Sequence, residues 1–332
     1  MATRISFKYL AKRLAVSVLV VWALLTLLFL LLKAMPGDFA SLLINPNMEA
    51  SDIQAVREQW GLNDPLWKQY LKWVGSYAVG DFGYSLQNAE PVTAMVIRRL
   101  PRTLVLFMTA FLMQYTIGIL IGIDFGWNRG TKVDKSGFTT GLTLYSVPFF
   151  WMAWMLLLVL SYPGVGISWF PAAHMTTAFK SQFTMVELVG DILYHLFIPA
   201  MSLVVVGWAG AMLVTRTSMQ EVLDKQYIYT ARAKGLSPTT VKYKHAARNA
   251  LIPVATQAIV GIAFVIDGSV IVETVFSWPG IGLMLVDAIA NRDFPVALAS
   301  FFMLGVLIVG MRLVTDIVYT YLDPRIKFGE SQ

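Results

Sequence analysis

Side chains able to do chemistry are few in this 332-residue chain, and they are scattered. It has no cysteine, which excludes disulfides, thiolate metal sites and a cysteine nucleophile. The 3 histidines, His174, His195 and His245, are far apart in sequence, so a histidine metal site is not expected. His195 sits at the outer edge of an apolar run without a partner at helical spacing. No phosphate-cradling loop is present, because Gly130-Thr131-Lys132 and Lys234-Gly235 lack the required pattern; ATP hydrolysis by this chain is not expected. One carboxylate stands apart. Counting about 1.5 Å per residue from Pro253 places Asp267 roughly 21 Å into a membrane, where a carboxylate must face water or a partner. Asp267 is therefore a translocation-pathway candidate favouring solutes with an amine or hydroxyls. A tilted helix that leaves it near the outer headgroups is the alternative.

The densest group of basic and small residues lies at 230–253, between two apolar runs. Ala231 and Ala233 are small enough to let a short helix enter a groove, and Gly235 can take the left-handed conformation that ends it. Ser237-Pro238 then offers an N-cap and a first-turn proline for a helix on a new axis. On that second helix Val241, His245 and Arg248 fall at i, i+4 and i+7 and share one face. A rigid, water-exposed elbow suits the docking of a soluble partner. For its cations, Arg232 and Lys234, contact with lipid phosphates is the alternative.

The elements that must position these residues are membrane spans. The chain is 57% hydrophobic and 14% charged, with mean hydropathy +0.63, whereas soluble domains carry about 25% charged residues. The net charge of +6 reads as basic cytoplasmic loops, not as a nucleic-acid surface. Apolar runs at 14–32, 103–123, within 138–161, at 196–215, from Leu251 onward and at 294–311 predict an all-α polytopic protein with six spans. The first run follows Arg4, Lys8, Lys12 and Arg13, is longer than a signal-peptide core of about 7–15 residues and has no small-x-small cleavage site after it. It reads as an uncleaved span. Arg129, Lys132, Lys135 and the basic elbow, against Lys180 alone in the loop between spans three and four, put the elbow and both termini in the cytoplasm.

The external loop at 33–102 carries two amphipathic patterns, Ile53/Val56/Trp60 and Leu66/Tyr70/Trp73. These predict short headgroup-level helices anchored by Trp60, Trp67 and Trp73, or a platform for an extracytoplasmic partner. Gly118, Gly122 and Gly126, with a weaker stripe at Gly207 and Ala211, predict close helix packing. Pro148 and Pro199 predict kinks, and Asp124 is expected to pair with a nearby base such as Arg129.

Tyr229, Ala231-Arg232-Ala233-Lys234-Gly235, His245 and Arg248-Asn249-Ala250-Leu251-Ile252-Pro253 resemble the cytoplasmic coupling loop of importer-type ABC permeases, specifically the oligopeptide/dipeptide permease family. So do Met35-Pro36-Gly37-Asp38, Gly61-Leu62-Asn63-Asp64-Pro65, Gly80-Asp81-Phe82-Gly83-Tyr84-Ser85, residues 273–282, Arg292-Asp293-Phe294-Pro295 and Asp323-Pro324-Arg325-Ile326. The resemblance implies a type-I importer permease, the first of a pair, with an N-terminal helix and external loop (1–95), a five-span core (96–320, coupling loop near 217–250) and a cytoplasmic tail (321–332). It implies a second homologous permease, two ABC ATPase subunits that hold ATP and Mg, and an extracytoplasmic solute-binding protein, with no cofactor in this chain. The partners are thus proteins and membrane lipid, not nucleic acid. Ala231, Ala233 and Gly235 would form the docking knob, Arg232 and Lys234 would meet the ATPase surface, and His245 and Arg248 complete the matching set. Glu273, Trp278, Pro279, Gly280 and Asp293 would form an external gate or scoop, with Trp278 suited to the membrane interface; a structural re-entrant turn fits these residues equally. Nothing carries over to Asp267. Peptides are the implied solute, and relatives with this pattern also import oligosaccharides or nickel chelates. A membrane redox subunit or a stand-alone secondary transporter would need several acid–base groups within the spans, where Asp267 stands alone.

Overall fold

The computed structural model describes residues 7–34, 63–177 and 183–322. The motifs at 35–38, 61–62 and 323–326 and the Ile53/Val56/Trp60 face lie outside these residues. The described elements are helices. They are α1 (Phe7–Ala34), α2 (Leu66–Ala78), α3 (Val92–Trp127), α4 (Lys132–Tyr145), α5 (Phe149–Ser161), α6 (Met185–Leu223) and α7 (Gln226–Ala233). After α7 comes α8, which starts at Pro238–Thr240, passes through a π-helical segment Val241–Ala247 and continues as Arg248–Val275. Two more complete the order, α9 (Ile281–Ala290) and α10 (Phe294–Leu322).

Among the described residues four helices are long and apolar enough to cross a membrane, Leu10–Ala34, Val92–Trp127, Met185–Leu223 and Phe294–Val314. The α4–α5 pair makes a fifth if taken as one broken span, its halves bent by 101°. The Arg248–Val275 part of α8 has 28 residues, about 42 Å at 1.5 Å per residue, which exceeds an apolar core of about 30 Å. Six spans were expected with a kink at Pro148, and the third is broken there into two helices. Ser146 closes α4, and Pro148 occupies the N-cap of α5. Proline lacks the N–H needed to continue the ladder and biases the residue before it away from helix.

The frame is the α3–α6 pair, whose small residues set the spacing as the stripe predicted. A Cβ built on Gly118 would lie 2.7 Å from the Ala211 Cβ, and one on Gly122 would lie 2.6 Å from the Thr215 Cβ and 2.7 Å from the Met212 carbonyl oxygen. Gly126 meets Met219, and Gly207 meets the Gln114 side chain. Ordinary carbon contacts are about 3.5–4.0 Å, so no larger side chain fits at this separation.

Outside the span region, α2 turns Tyr77 into the core, where its ring meets Phe82 at 5.0 Å and Phe302 of α10 at 5.3 Å. Trp73 packs against Tyr77 with its ring tilted by 39° at 4.3 Å. The inward face of α2 is thus Tyr70/Trp73/Tyr77; Leu66 and Trp67, at its first turn, are exposed. Asp64 accepts from Lys68 (2.8 Å) and Lys72 (2.6 Å), and these hydrogen bonds hold its carboxyl below the ordinary carboxylate range.

Candidate functional site

The elbow forms as its local chemistry dictates. Helix α7 ends in a Schellman motif, with Gly235 N–H donating to the Arg232 carbonyl at 2.9 Å and Leu236 N–H to the Ala231 carbonyl at 3.4 Å. Gly235 sits at φ +73°, the left-handed conformation that glycine adopts without a Cβ clash. Ser237 Oγ then accepts from Thr240 N–H at 3.3 Å with Pro238 in the first turn, so α8 restarts as expected.

What the elbow shows to solvent differs from the sequence pattern. Ala231 is 5% exposed and points inward with Ile228, packing among Ile123, Met219, Val241, Ala246, Ala247 and Ala250. Its smallness serves packing within this chain. The outward face instead carries Tyr227, Tyr229, Arg232, Ala233, Lys234 and Leu236. Val241, His245 and Arg248 do not share a face either. The π segment delays the helix phase, so the buried face runs Val241, Ala246, Ala247, Ala250, leaving His245 half-buried and Arg248 exposed. A single extra residue in a turn leaves no periodic signal in a sequence.

Polar contacts brace this end of the bundle. The Lys242 ammonium pairs with Asp124, tying the start of α8 to α3, so Asp124's partner is Lys242 and not Arg129. Burial is the largest single influence and works against the Lys242 charge, but the hydrogen bond to Asp124, the Asp124 charge and the neighbouring Tyr243 together raise the Lys242 pKa. Arg129 reaches Asp224 at 3.5 Å, and the Arg232 guanidinium lies over the Trp127 ring at 5.5 Å. Deeper in, Arg216 makes a bidentate pair with Asp134, Nε to Oδ1 at 2.5 Å and Nη2 to Oδ2 at 3.0 Å, and lies over Phe138 at 4.8 Å. Asp134 also accepts from Gly130 N–H at 2.9 Å.

At the opposite end the residues expected at an external gate form a buried clasp. Trp278 is fully buried rather than at the membrane interface, and its indole N–H donates to the Arg102 carbonyl at 3.0 Å. Glu273 is also buried and accepts from Leu283 N–H at 3.0 Å. Gly280 abuts the Glu273 carboxylate, and Pro279 links it to Trp278. Ile281 N–H donates to the Thr103 hydroxyl at 2.7 Å, closing the turn onto α3. Asp293 accepts from Ser85 Oγ at 2.5 Å and from Leu86 N–H at 3.1 Å, and so joins the two motifs at 80–85 and 292–295. Glu273, Trp278 and Asp293 each hold a hydrogen bond within this chain, while Glu273 Oε1 is buried without a partner.

Asp267 lies on α8, but its side chain is outside the described set. His195 does have a partner at helical spacing: its Nδ1 is 3.4 Å from Asp191 Oδ1, one turn earlier. Among the described residues no group of His, Cys, Asp or Glu could hold a metal ion.

These features define a polytopic α-helical membrane subunit with a rigid elbow at one end and a clasped loop at the other. The chain belongs to the family described as the binding-protein-dependent transport system inner membrane component, which matches residues 114–328, with the family's N-terminal component at 6–107. It is 37% identical over 321 residues to the oligopeptide transport system permease protein AppB of Bacillus subtilis (strain 168), covering 96% of this chain and 99% of that one. It is 35% identical over 337 residues to the di/tripeptide transport system permease protein DppB of Pseudomonas aeruginosa (strain UCBPP-PA14), covering 96% and 98%. A chain from a crystal structure of an amino acid ABC transporter with histidines aligns with TM-score 0.45 and 17% identity, over 70% of this chain and 94% of that chain. The protein is a transmembrane permease subunit of an ABC importer.

Proposed function

We propose that this chain is the first of two homologous permeases and forms half of the pathway of a peptide importer working by alternating access. Two separate ABC ATPases hold ATP and Mg and drive it, a solute-binding protein delivers substrate, and this chain carries no cofactor. Both termini and the elbow face the cytoplasm. The peptide assignment is supported by the names of the relatives, AppB and DppB. The observation that carries the coupling role is the elbow itself, a capped helix anchored by Ile228 and Ala231 that presents Tyr229, Arg232, Ala233 and Lys234 outward. A soluble ATPase gripping that face moves α7 and the start of α8 as one piece. His245 and Arg248 flank this contact, and the 273–282 clasp with Asp293 holds the external end in register. Asp267 remains a pathway candidate, to be dropped if Asp267→Asn leaves transport kinetics unchanged.

The test uses the assembled transporter. No atom lies within 4 Å of a Cβ built on Gly235, so Gly235→Trp has open space at its Cβ but strains the turn, and Lys234→Glu leaves the backbone alone. Both variants should insert in the membrane, lose co-purification with the ATPases by at least about tenfold, and lose uptake of a labelled tripeptide. Full retention of both by both variants refutes the coupling role. Uptake of an oligosaccharide or nickel chelate in place of peptide by the wild-type transporter refutes the solute assignment.

A further inference from the structure

The break between α4 and α5 exposes backbone where lipid cannot satisfy it. Tyr145 is 53% exposed and lies eleven residues along α4 from the Asp134 anchor, about 16 Å. Ser146 and Val147 bond back into α4 through N–H groups at 3.1–3.2 Å from the Leu142, Thr143 and Leu144 carbonyls. Beyond them Pro148 supplies no side-chain cap, and the first intrahelical bond of α5 is Met152 N–H to the Pro148 carbonyl at 3.1 Å. Phe149, Phe150 and Trp151 therefore begin the helix with N–H groups that have no intrahelical acceptor. Non-helical backbone persists at membrane depth where it is buried in protein or faces water, and Tyr145, Ser146 and Pro148 are exposed in this chain. The face of α4 leading to the break carries Ser136, Thr139, Thr140 and Thr143, all exposed, and the hydroxyls of Ser136, Thr139 and Thr143 donate to carbonyls of the preceding turn.

Behind the break, Gln257 of α8 and Tyr115 of α3 join Tyr145 of α4 around Gly210 of α6. A Cβ at that position would lie 3.2 Å from the Tyr145 ring and 3.6 Å from Gln257 Nε2. Gln257 Nε2 donates to the Gly210 carbonyl at 3.4 Å, and the Tyr115 hydroxyl donates to the Gln257 carbonyl at 3.3 Å. Gln257 Oε1 is buried with no hydrogen-bond partner. Depth along each helix agrees: Tyr115 is nine residues beyond Asp124 and Gln257 nine beyond Arg248, each about 14 Å from the inner ring of charges. Half of an apolar core of about 30 Å is a similar distance.

We infer that the α4–α5 break, backed by Tyr115, Tyr145 and Gln257, lines a water-filled pathway and reads the solute's backbone amides rather than its charges. Carboxamide and phenol groups offer both donors and acceptors, which is what a peptide group presents, and carry no charge that would select among solute side chains. The unpartnered Gln257 Oε1 is an acceptor awaiting a donor. This assignment deepens the peptide-importer reading and rests on it for the solute, but not for the water-filled surface.

This chain has no cysteine, so each substitution introduces its single thiol, and the unsubstituted transporter gives the background from other subunits. In the complete reconstituted transporter, single substitutions Thr143→Cys, Ser146→Cys and Leu112→Cys are exposed to a membrane-impermeant thiol reagent. Leu112 is 57% exposed on the apolar surface of α3 and serves as the lipid-facing control. Thr143→Cys and Ser146→Cys should react at least tenfold faster than Leu112→Cys, and trialanine delivered by the binding protein should slow the reaction. Equal reactivity, or none, overturns the water-filled surface, including the case in which the second permease covers it. In parallel, Gln257→Leu and Tyr145→Phe should lower trialanine uptake about tenfold while changing little the already slow uptake of trialanine N-methylated at its amides. Unchanged trialanine uptake, or equal loss for both peptides, overturns amide reading. Wild-type transporter that takes up no peptide at all defeats the peptide reading instead, and the thiol result still decides the surface.

Discussion

Removing Arg216 should destabilise the protein far more than removing the whole Arg216–Asp134 pair. Asp134 is 1% exposed and Arg216 18%, and the bidentate contact at 2.5 and 3.0 Å ties the first turn of α4 to α6. In Arg216→Met the Asp134 carboxylate keeps the Gly130 N–H at 2.9 Å but loses its counter-charge in a buried site. Breaking a buried pair from one side costs about 3–5 kcal/mol; the partial exposure of Arg216 argues for the lower end, about 3 kcal/mol. At roughly 2 °C per kcal/mol for a large domain, the melting temperature should fall by about 6 °C. In the double variant Arg216→Met/Asp134→Leu the stranded charge is gone, and replacement of a buried pair by apolar groups of similar volume is often neutral. Gly130 and the α4 N-terminus still lose an acceptor there, so a residual loss of about 1 kcal/mol remains. Thermal unfolding in one detergent, followed for wild type, both single variants and the double variant, reads the cycle. A double variant as damaged as Arg216→Met would refute the stranded-charge account, as would an Arg216→Met indistinguishable from wild type.

Gly122→Leu should force α3 and α6 apart, because even a Cβ there lies 2.6 Å from Thr215 and 2.7 Å from the Met212 backbone; a loss of about 1–3 kcal/mol or more, seen as a lower melting temperature, is expected. Asp293→Ala should release the 85–87 turn by stranding Ser85 Oγ and the Leu86 N–H, about 1–3 kcal/mol; faster amide exchange at residues 85–88, with the elbow unchanged, checks it.

The all-helical membrane architecture, the apolar runs and the form of the elbow were legible in the chain because each is written in a short window. Gly235 at φ +73°, the Ser237 cap and Pro238 each act on backbone within a few residues, and the small-residue stripe at Gly118, Gly122 and Gly126 announces close packing wherever its partner lies. Tertiary structure decided which groups those elements meet. Asp293 and Ser85 are 208 positions apart and Asp134 and Arg216 are 82 apart, so no local pattern pairs them. The same holds for Ala231 turning inward and for Lys242 rather than Arg129 taking Asp124. Even the face of α8 was settled by context, since a π turn re-phases every residue after it. Backbone conformation is selected by neighbours a few bonds away, whereas burial and charge pairing are selected by whichever helix packs alongside.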